Sequence, residues 1–267
     1  MKAAYKGFVV ALWIIGGLLD APGQDALPEL RVLPDPGTQG GGGQSGSITL
    51  AKISSETNKI TDENAWWERN GLVKPAAYLR FPAVVRGEIP ESAPESYGAQ
   101  PLMAVWSAGG RRFFVYGEQI YKVRYLLAEA EDGGEIEYAF DVGPYGTAAW
   151  AEIVDDILYL SNNPGNLSAA DGGGARIFAI DLKTNLLRWA SPEKTCHGQF
   201  ALIEGSVVCS YGFTGEPDFI YVLDRFDGSA IQAIKLKTAA DWLIRKGDKL
   251  YVRCYNTDDV YRIEVGD

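Results

Sequence analysis

The chain contains little histidine and little cysteine, and each shortage excludes a kind of site. One His and three Cys occur among 267 residues. A metal centre built from several imidazoles is therefore excluded, as is a small disulfide-dense scaffold. Basic residues are also outnumbered, with 25 Lys and Arg against 35 Asp and Glu, for a net charge of −10. Because nucleic-acid binders usually present a basic face, we expect no nucleic-acid partner.

The most apolar stretch of the sequence lies at its N-terminus. Met1–Lys6 carries two lysines, Gly7–Leu19 is uncharged and apolar, and Asp20–Gly23 is short with small residues. This order is typical of a secretory signal peptide. An uncleaved anchor is the alternative, but about thirteen apolar residues are short for a bilayer. We predict a signal peptide over 1–23 and an exported chain, periplasmic or extracellular, with no membrane span after cleavage.

A Gly-, Ser- and Pro-rich stretch follows, over residues 24–47. Such a composition buries no apolar surface and behaves as flexible coil. We therefore predict a linker here, outside the folded domain.

A short pattern recurs four times after residue 100: a β-branched residue, an aromatic, any residue and an aliphatic. The aromatics are Tyr121, Phe178, Tyr221 and Tyr261, at spacings of 57, 43 and 40. Each copy follows an apolar run, a tight turn and a second apolar run. A unit of four short strands repeating every 40–50 residues is typical of a β-propeller blade. We attribute the long first spacing to an acidic insertion at Leu126–Gly134.

The four repeats are predicted at about 101–142, 148–190, 198–237 and 240–267. The first two strands of each are joined by two-residue turns at Gly109-Gly110, Asp155-Asp156, Glu204-Gly205 and Lys246-Gly247. Gly and Asp tolerate the positive φ that such turns require.

The last repeat reaches Asp267 before a fourth strand. An unpaired sheet edge is usually covered, and an N-terminal strand at Ile48–Ile53 or Tyr78–Val85 would cover it. Residues 48–99 have room for this closing strand and a degenerate blade. The predicted fold is all-β: a β-propeller of four to five four-stranded blades, with an N-terminal strand as the expected means of closure.

The segment from Ala179 to Trp189 reads AIDLKTNLLRW. It resembles the repeat of PQQ-like, quinoprotein-type β-propellers: a small residue, an aliphatic, Asp, two variable residues, Thr, Gly and a strand ending in Trp. Asn185 stands in place of the Gly and also tolerates a left-handed backbone. A looser copy occurs at Val222–Gly228, and the resemblance extends over about residues 100–267. The Asp of each copy can accept turn amides, and the Trp can pack between blades.

The resemblance implies the propeller fold but argues against quinone catalysis. Quinoprotein dehydrogenases of this family have eight blades and bind PQQ, together with a metal ion, above a disulfide between adjacent cysteines. This chain has no adjacent Cys pair and too few repeats. We therefore expect no cofactor, no metal and no catalytic residue. The non-enzymatic branch of the family is the nearer comparison.

Three residues are candidates for a ligand site at the central channel: His197, Trp150 and Trp242. His197 precedes an innermost strand, and its imidazole could serve as a general base or a pH-sensitive group. A loop His without chemistry is the alternative. Trp106, Trp150, Phe200 and Trp242 recur at one position of the first strands. That recurrence favours blade packing over an exposed sugar-stacking surface.

The three cysteines leave an odd number for pairing. Cys209 should face residue 200 in its hairpin, about four positions from Cys196, which exceeds disulfide reach. We favour buried thiols that pack as small apolar groups, Cys254 included. One disulfide with a free thiol stays open as the alternative.

Two polar segments give weaker signals. Asn162–Gly174 includes one carboxylate, Asp171, too few for Ca²⁺, and we expect a mobile loop. It also contains a glycosylation sequon at Asn166, meaningful only in a eukaryote. The acidic residues between Glu129 and Glu137 are expected to form a solvated hairpin tip. Attraction of a cationic partner is the alternative.

The leading functional hypothesis is a non-catalytic exported propeller that binds a protein or cell-envelope partner. The alternative is a small-ligand-binding or enzymatic propeller with its site at the central channel near His197. An enzyme would bring His197, a carboxylate and an Arg to one mouth of the channel. A truncated relative with no independent activity is a third hypothesis, which fewer than five blades and an unclosed ring would favour.

Overall fold

The computed structural model describes residues 28–34, 46–80, 85–119, 122–163, 174–213 and 215–266. The predicted signal peptide, most of the predicted linker and residues 164–173 of the predicted loop lie outside this part of the chain. Asp171 and the Asn166 sequon are among them. Within the described residues, no helix combines the length and apolar character needed to cross a membrane.

The described chain is mostly strand, with one α-helix and two single-turn 3-10 helices. In chain order the strands are β1 (Leu30–Val32), β2 (Ile48–Thr57), β3 (Ala77–Arg80), β4 (Val85–Arg86), β5 (Ser96–Tyr97), β6 (Gln100–Ala108), β7 (Arg111–Gln119), β8 (Lys122–Ala130), β9 (Ile136–Asp141), β10 (Ala148–Val154), β11 (Ile157–Asn162), β12 (Ile177–Asp181), β13 (Leu186–Ala190), β14 (Phe200–Ile203), β15 (Ser206–Tyr211), β16 (Phe219–Asp224), β17 (Ala230–Lys235), β18 (Ala240–Lys246), β19 (Lys249–Cys254) and β20 (Thr257–Val265). Helix α1 spans Glu63–Asn70, and the 3-10 turns span Ile60–Asp62 and Gly143–Tyr145.

These strands form four sheets in the described chain. The first has the order β1-β9-β8-β7-β6-β3-β4, with β5 also paired to β6. The second and third are antiparallel meanders of β10–β13 and β14–β17. The fourth has the order β18-β19-β20-β2. Successive four-stranded sheets are the architecture of a β-propeller, so the predicted fold class is confirmed.

The N-terminal strand β2 is the fourth strand of the last sheet. It pairs antiparallel with β20, from Ile48 opposite Val265 to Thr57 opposite Thr257. Ile48 is fully buried in the core of the last two sheets. Of the two closing strands considered, Ile48–Ile53 is therefore the right one. The other, beginning at Tyr78, pairs with β6 in the first sheet instead.

Local turn chemistry explains why the repeats form hairpins. Asp155, Asp156 and Glu204 adopt positive φ, as the two-residue turns require. In the last unit the turn is one residue later than predicted, because β18 continues through Lys246. In the PQQ-like motif, Asp181 accepts the amides of Lys183 and Thr184 at 2.9 and 3.0 Å.

The tryptophan of that motif connects the second and third sheets. Trp189 Nε1 donates to the carbonyl of Arg225 at 3.0 Å. A Cβ on Gly228 would lie 2.5 Å from the Trp189 ring, so this turn needs a glycine for the ring to pack. The Trp therefore packs between neighbouring blades, as the motif predicted.

Three segment predictions are wrong in whole or in part. Leu126–Gly134 is not an insertion, because most of it belongs to β8, where Leu126 and Leu127 are fully buried. The carboxylate of Glu129 is buried as well and binds Arg112 at 2.7 Å, so it is not part of a solvated tip. The predicted linker includes β1, which pairs in parallel with β9.

If β2 completes the last sheet, shortening a buried side chain on it should destabilise the whole domain. We predict that Ile48→Ala lowers the free energy of unfolding by about 2–5 kcal/mol, through lost burial and the cavity that remains. Ile53→Ala on the same strand is the control, because Ile53 is 46% exposed. Urea denaturation of the two variants measures the difference, and equal stabilities would contradict the assignment.

Candidate functional site

Three of the four sheets, and the segment that leads into the remaining one, contribute to one cavity of about 320 Å³. Its wall comes from β3, β6, β10 and β18 and from the segment just before β14. These segments belong to different repeats, which is why residues far apart in sequence meet at this cavity. The lining residues are Ala77, Tyr78, Leu79, Ala104, Val105, Trp106, Thr147, Ala148, Ala149, Trp150, Asn163, His197, Gly198, Gln199, Asp241 and Trp242.

Aromatic rings supply much of the wall. Trp106 and Trp150 stack across the first two sheets, with ring centroids 5.3 Å apart at 16°. Trp106 Nε1 donates to the carbonyl of Ala151 at 3.1 Å. Trp150 Nε1 is buried and has no hydrogen-bond partner in the described structure. A buried unpaired donor costs about 1–3 kcal/mol, so this group is a candidate contact for a ligand acceptor.

Trp242 is held from below by helix α1. Its Nε1 donates to Glu63 Oε1 at 3.2 Å, and its ring packs edge-on against Trp67 at 5.3 Å. Burial acts to raise the pKa of Glu63, but hydrogen bonds from Lys74, Trp67 and Trp242 outweigh it and lower the pKa. The carboxylate is therefore ionised at neutral pH and fixes the Trp242 indole.

His197 reaches the cavity through the loop before β14. Its Nδ1 lies 2.9 Å from the carbonyl oxygen of Ser210. Because a carbonyl only accepts, Nδ1 must bear the proton, and Nε2 retains its lone pair. Burial lowers the pKa of His197. The imidazole is thus neutral at physiological pH and can accept one hydrogen bond.

Asp241 is the charged member of the cavity wall. Solvent reaches its side chain, but the surrounding protein raises its pKa by desolvation, and the nearby Glu63 carboxylate adds repulsion. No hydrogen bond or ion pair engages the Asp241 side chain among the described residues. The sequence predicts a strand at Asp241 but does not predict that this residue lines the cavity. The available signal was a carboxylate directly preceding the tryptophan of an inner strand.

The three candidate residues from the sequence, His197, Trp150 and Trp242, therefore line the same cavity. Whether they bind a ligand stays a prediction. Asp241 joins His197 there, whereas the arginine that an enzyme at this mouth was expected to use is not among the lining residues. Elsewhere in the described chain, no group of three or more His, Cys, Asp or Glu side chains could hold a metal ion.

The three cysteines are free and buried, which agrees with the packing interpretation. Cys209 pairs with Phe200 across the hairpin, as predicted. The predicted separation from Cys196 is wrong, because the loop before β14 folds back and brings the two free thiols into contact. The Cys209 thiol donates to the carbonyl of Thr195 at 3.5 Å, and Cys196 donates to that of Gly198 at 3.6 Å. These contacts fasten the loop that presents His197.

A second, more open groove of about 550 Å³ includes the far ends of β10 and β14. It contains Glu152 and Arg225. Burial raises the pKa of Glu152 to about 7, although Arg225 partly opposes the rise. Arg225 donates to Tyr159 and Asp155, at 3.0 and 2.8 Å, rather than to Glu152. Burial therefore disfavours the ionised form of the Glu152 carboxyl at neutral pH.

No family model matches the sequence, and no curated protein matches it. Among solved structures, BamB from Moraxella catarrhalis is similar over 61% of this chain and 73% of that one, with 11% identity and a TM-score of 0.28. At this score the likeness bears on neither function nor partner. The resemblance to PQQ-like propellers therefore still depends on the sequence motif.

The raised pKa of Glu152 predicts how stability changes with pH. The folded state holds the proton more tightly than the unfolded chain, so its contribution to stability is complete at low pH and is lost as pH rises through about 7. We predict that Glu152→Gln is more stable than the wild type at pH 8 by about 2 kcal/mol, and that the gap closes near pH 4.

Urea denaturation at the two pH values measures this gap. Glu204→Gln is the matched control, because Glu204 lines the same groove but is exposed and paired with Arg245 at 2.9 Å. If the Glu152→Gln variant is no more stable than the wild type at pH 8, burial does not disfavour the ionised carboxyl and the prediction is wrong.

Proposed function

We propose that this chain is a non-catalytic binding protein whose recognition site is the central cavity, and that its partner is a protein which inserts one side chain there. The observation that supports this most is the buried, unpaired Nε1 of Trp150, a residue whose side chain lines the cavity. A ligand acceptor would satisfy this donor. The site thus has an unmet hydrogen bond that binding would supply.

The size of the cavity favours a single anchoring group. A volume of about 320 Å³ is at the lower end of the range for small-molecule pockets. Protein interfaces often concentrate their binding energy in one such anchor, seated in a well-packed pocket and surrounded by weaker contacts. The rims of the sheets around the mouth would supply those contacts.

The walls are held rigidly, which reduces the entropy lost on binding. Both side-chain polar atoms of Gln199 bond the backbone of Leu243, at 2.8 and 3.2 Å. Ser161 Oγ donates to the carbonyl of Gly198 at 2.7 Å. These bonds link the second, third and fourth sheets around the cavity.

A free small molecule is the second candidate, and the same cavity supports it, because an enclosed apolar pocket with few polar groups is typical of ligand sites. Such a small molecule would contact little of the protein outside the cavity.

Peptide display on the full chain tests the proposal. We predict that selected peptides share one anchor residue and that Trp150→Phe, which keeps the ring but removes the N–H donor, weakens their binding about tenfold. Trp189→Phe is the control, since it also removes a buried indole N–H donor but lies outside the cavity lining. Peptides that bind Trp150→Phe as tightly as the wild type would contradict the proposal. A single blocked amino acid that binds as tightly as the peptide would favour the small-ligand candidate.

A further inference from the structure

We infer that the group accepted by the central cavity is an organic cation, the ammonium or guanidinium of a Lys or Arg side chain on the protein partner. The inference rests on the proposed function, because it names the chemistry of the inserted group. Three features of the cavity lead to it: its charge, its aromatic wall and its unpaired hydrogen-bonding groups.

The charge of the cavity wall indicates the sign of the ligand's charge. Among the described residues that line the cavity, Asp241 is the one Asp, Glu, Lys or Arg. The nearby cations are already committed: Lys74 binds Glu63 at 2.9 Å, and Arg253 binds Asp62 and Asp258 at 2.8 and 3.1 Å. A cation that enters the cavity therefore meets a carboxylate to which no Lys or Arg of the described chain is hydrogen-bonded, although Arg253 attracts it electrostatically. An anion meets repulsion.

The aromatic wall suits a cation with an apolar stem. Tyr78, Trp106, Trp150 and Trp242 all line the cavity. Cations are attracted to the faces of such rings, most strongly to Trp, when they lie within about 6 Å of the centroid. The chain already shows this contact, because Lys74 Nζ lies 6.0 Å from the centroid of Trp242. The methylene stem of a Lys or Arg would pack on the same rings.

The unpaired polar groups match the donors of a basic side chain. Asp241 and His197 Nε2 are both acceptors, and an ammonium has three donors while a guanidinium has five. Among the described residues that line the cavity, Trp150 Nε1 is the buried unpaired donor, and it would suit a carbonyl of the peptide that presents the side chain. A carboxylate or phosphate could donate to neither acceptor, and a purely apolar side chain could bond to none of the three groups.

The experiment uses the full chain and blocked pentapeptides Ac-Ala-Ala-X-Ala-Ala-amide. X is Lys, Arg, norleucine, citrulline or Glu, and binding is followed by tryptophan fluorescence at pH 7.5. Norleucine and citrulline keep the stems of Lys and Arg but remove the charge. We expect at least one basic peptide to bind tenfold or more tightly than its neutral counterpart and than the Glu peptide. In Asp241→Asn this preference should fall below threefold.

The control is Glu204→Gln, which removes one negative charge at the far groove and should preserve the preference. Thermal melts confirm that each variant is folded. A preference that survives Asp241→Asn would overturn the inference, because Asp241 would not be its source. A preference that falls equally in Glu204→Gln would also overturn it, because net charge alone would explain the preference. If neutral peptides bind best and lose affinity in Trp150→Phe, the inference of a cationic ligand is overturned. The proposed function, a cavity that accepts one side chain, then remains. If no pentapeptide bound, both would be contradicted.

Discussion

The pairing of β2 with β20 is the interaction on which the rest of the structure depends. It joins residues about two hundred positions apart and completes the fourth sheet. Side chains of the third sheet reinforce it: Gln232 bonds both backbone groups of Leu50, at 2.8 and 3.1 Å, and Ser206 accepts the amide of Ile48 at 3.1 Å. The closing strand is therefore fixed to two sheets at once, and its burial offsets the entropy of a very long loop.

The geometry of the cavity follows from this pairing. After β2 the chain continues through a 3-10 turn into α1, and this path places Glu63 within hydrogen-bond distance of Trp242. The buried Arg253 ties the same turn to the fourth sheet through Asp62. Without the closing strand, the helix would lose its position and Trp242 its hydrogen bond. One wall of the proposed site is thus built by the N-terminal segment.

Much of the fold could be predicted because its signals are local. Turn residues with positive φ, strand-forming residues at regular spacing and the Asp–Trp motif act within a few positions of each other. The buried Glu129 could not be predicted, because its partner Arg112 lies on the neighbouring strand and an acidic run by itself suggests solvent exposure. The strand β1 was missed for a similar reason, since a short segment in a Gly-rich context becomes a strand only through pairing with β9.

The candidate site shows the same division between local and distant information. The recurrence of Trp150 and Trp242 at one position of the repeat marked them as inner-strand residues, and His197 stood out because it is unique. The convergence of these three residues with Asp241 depends on how the sheets pack. The unpaired Trp150 donor and the committed neighbours of Asp241 are visible only in the folded structure.

Hydrogen–deuterium exchange of the intact chain tests whether the N-terminal strand closes the last sheet. If it does, amides of β20 (Thr257–Val265) that bond to β2 exchange as slowly as those of the internal strand β11 (Ile157–Asn162). Exchange of the β20 amides at the rate of exposed turns would show an open edge. That result would contradict the closure of the fourth sheet and the cavity wall built upon it.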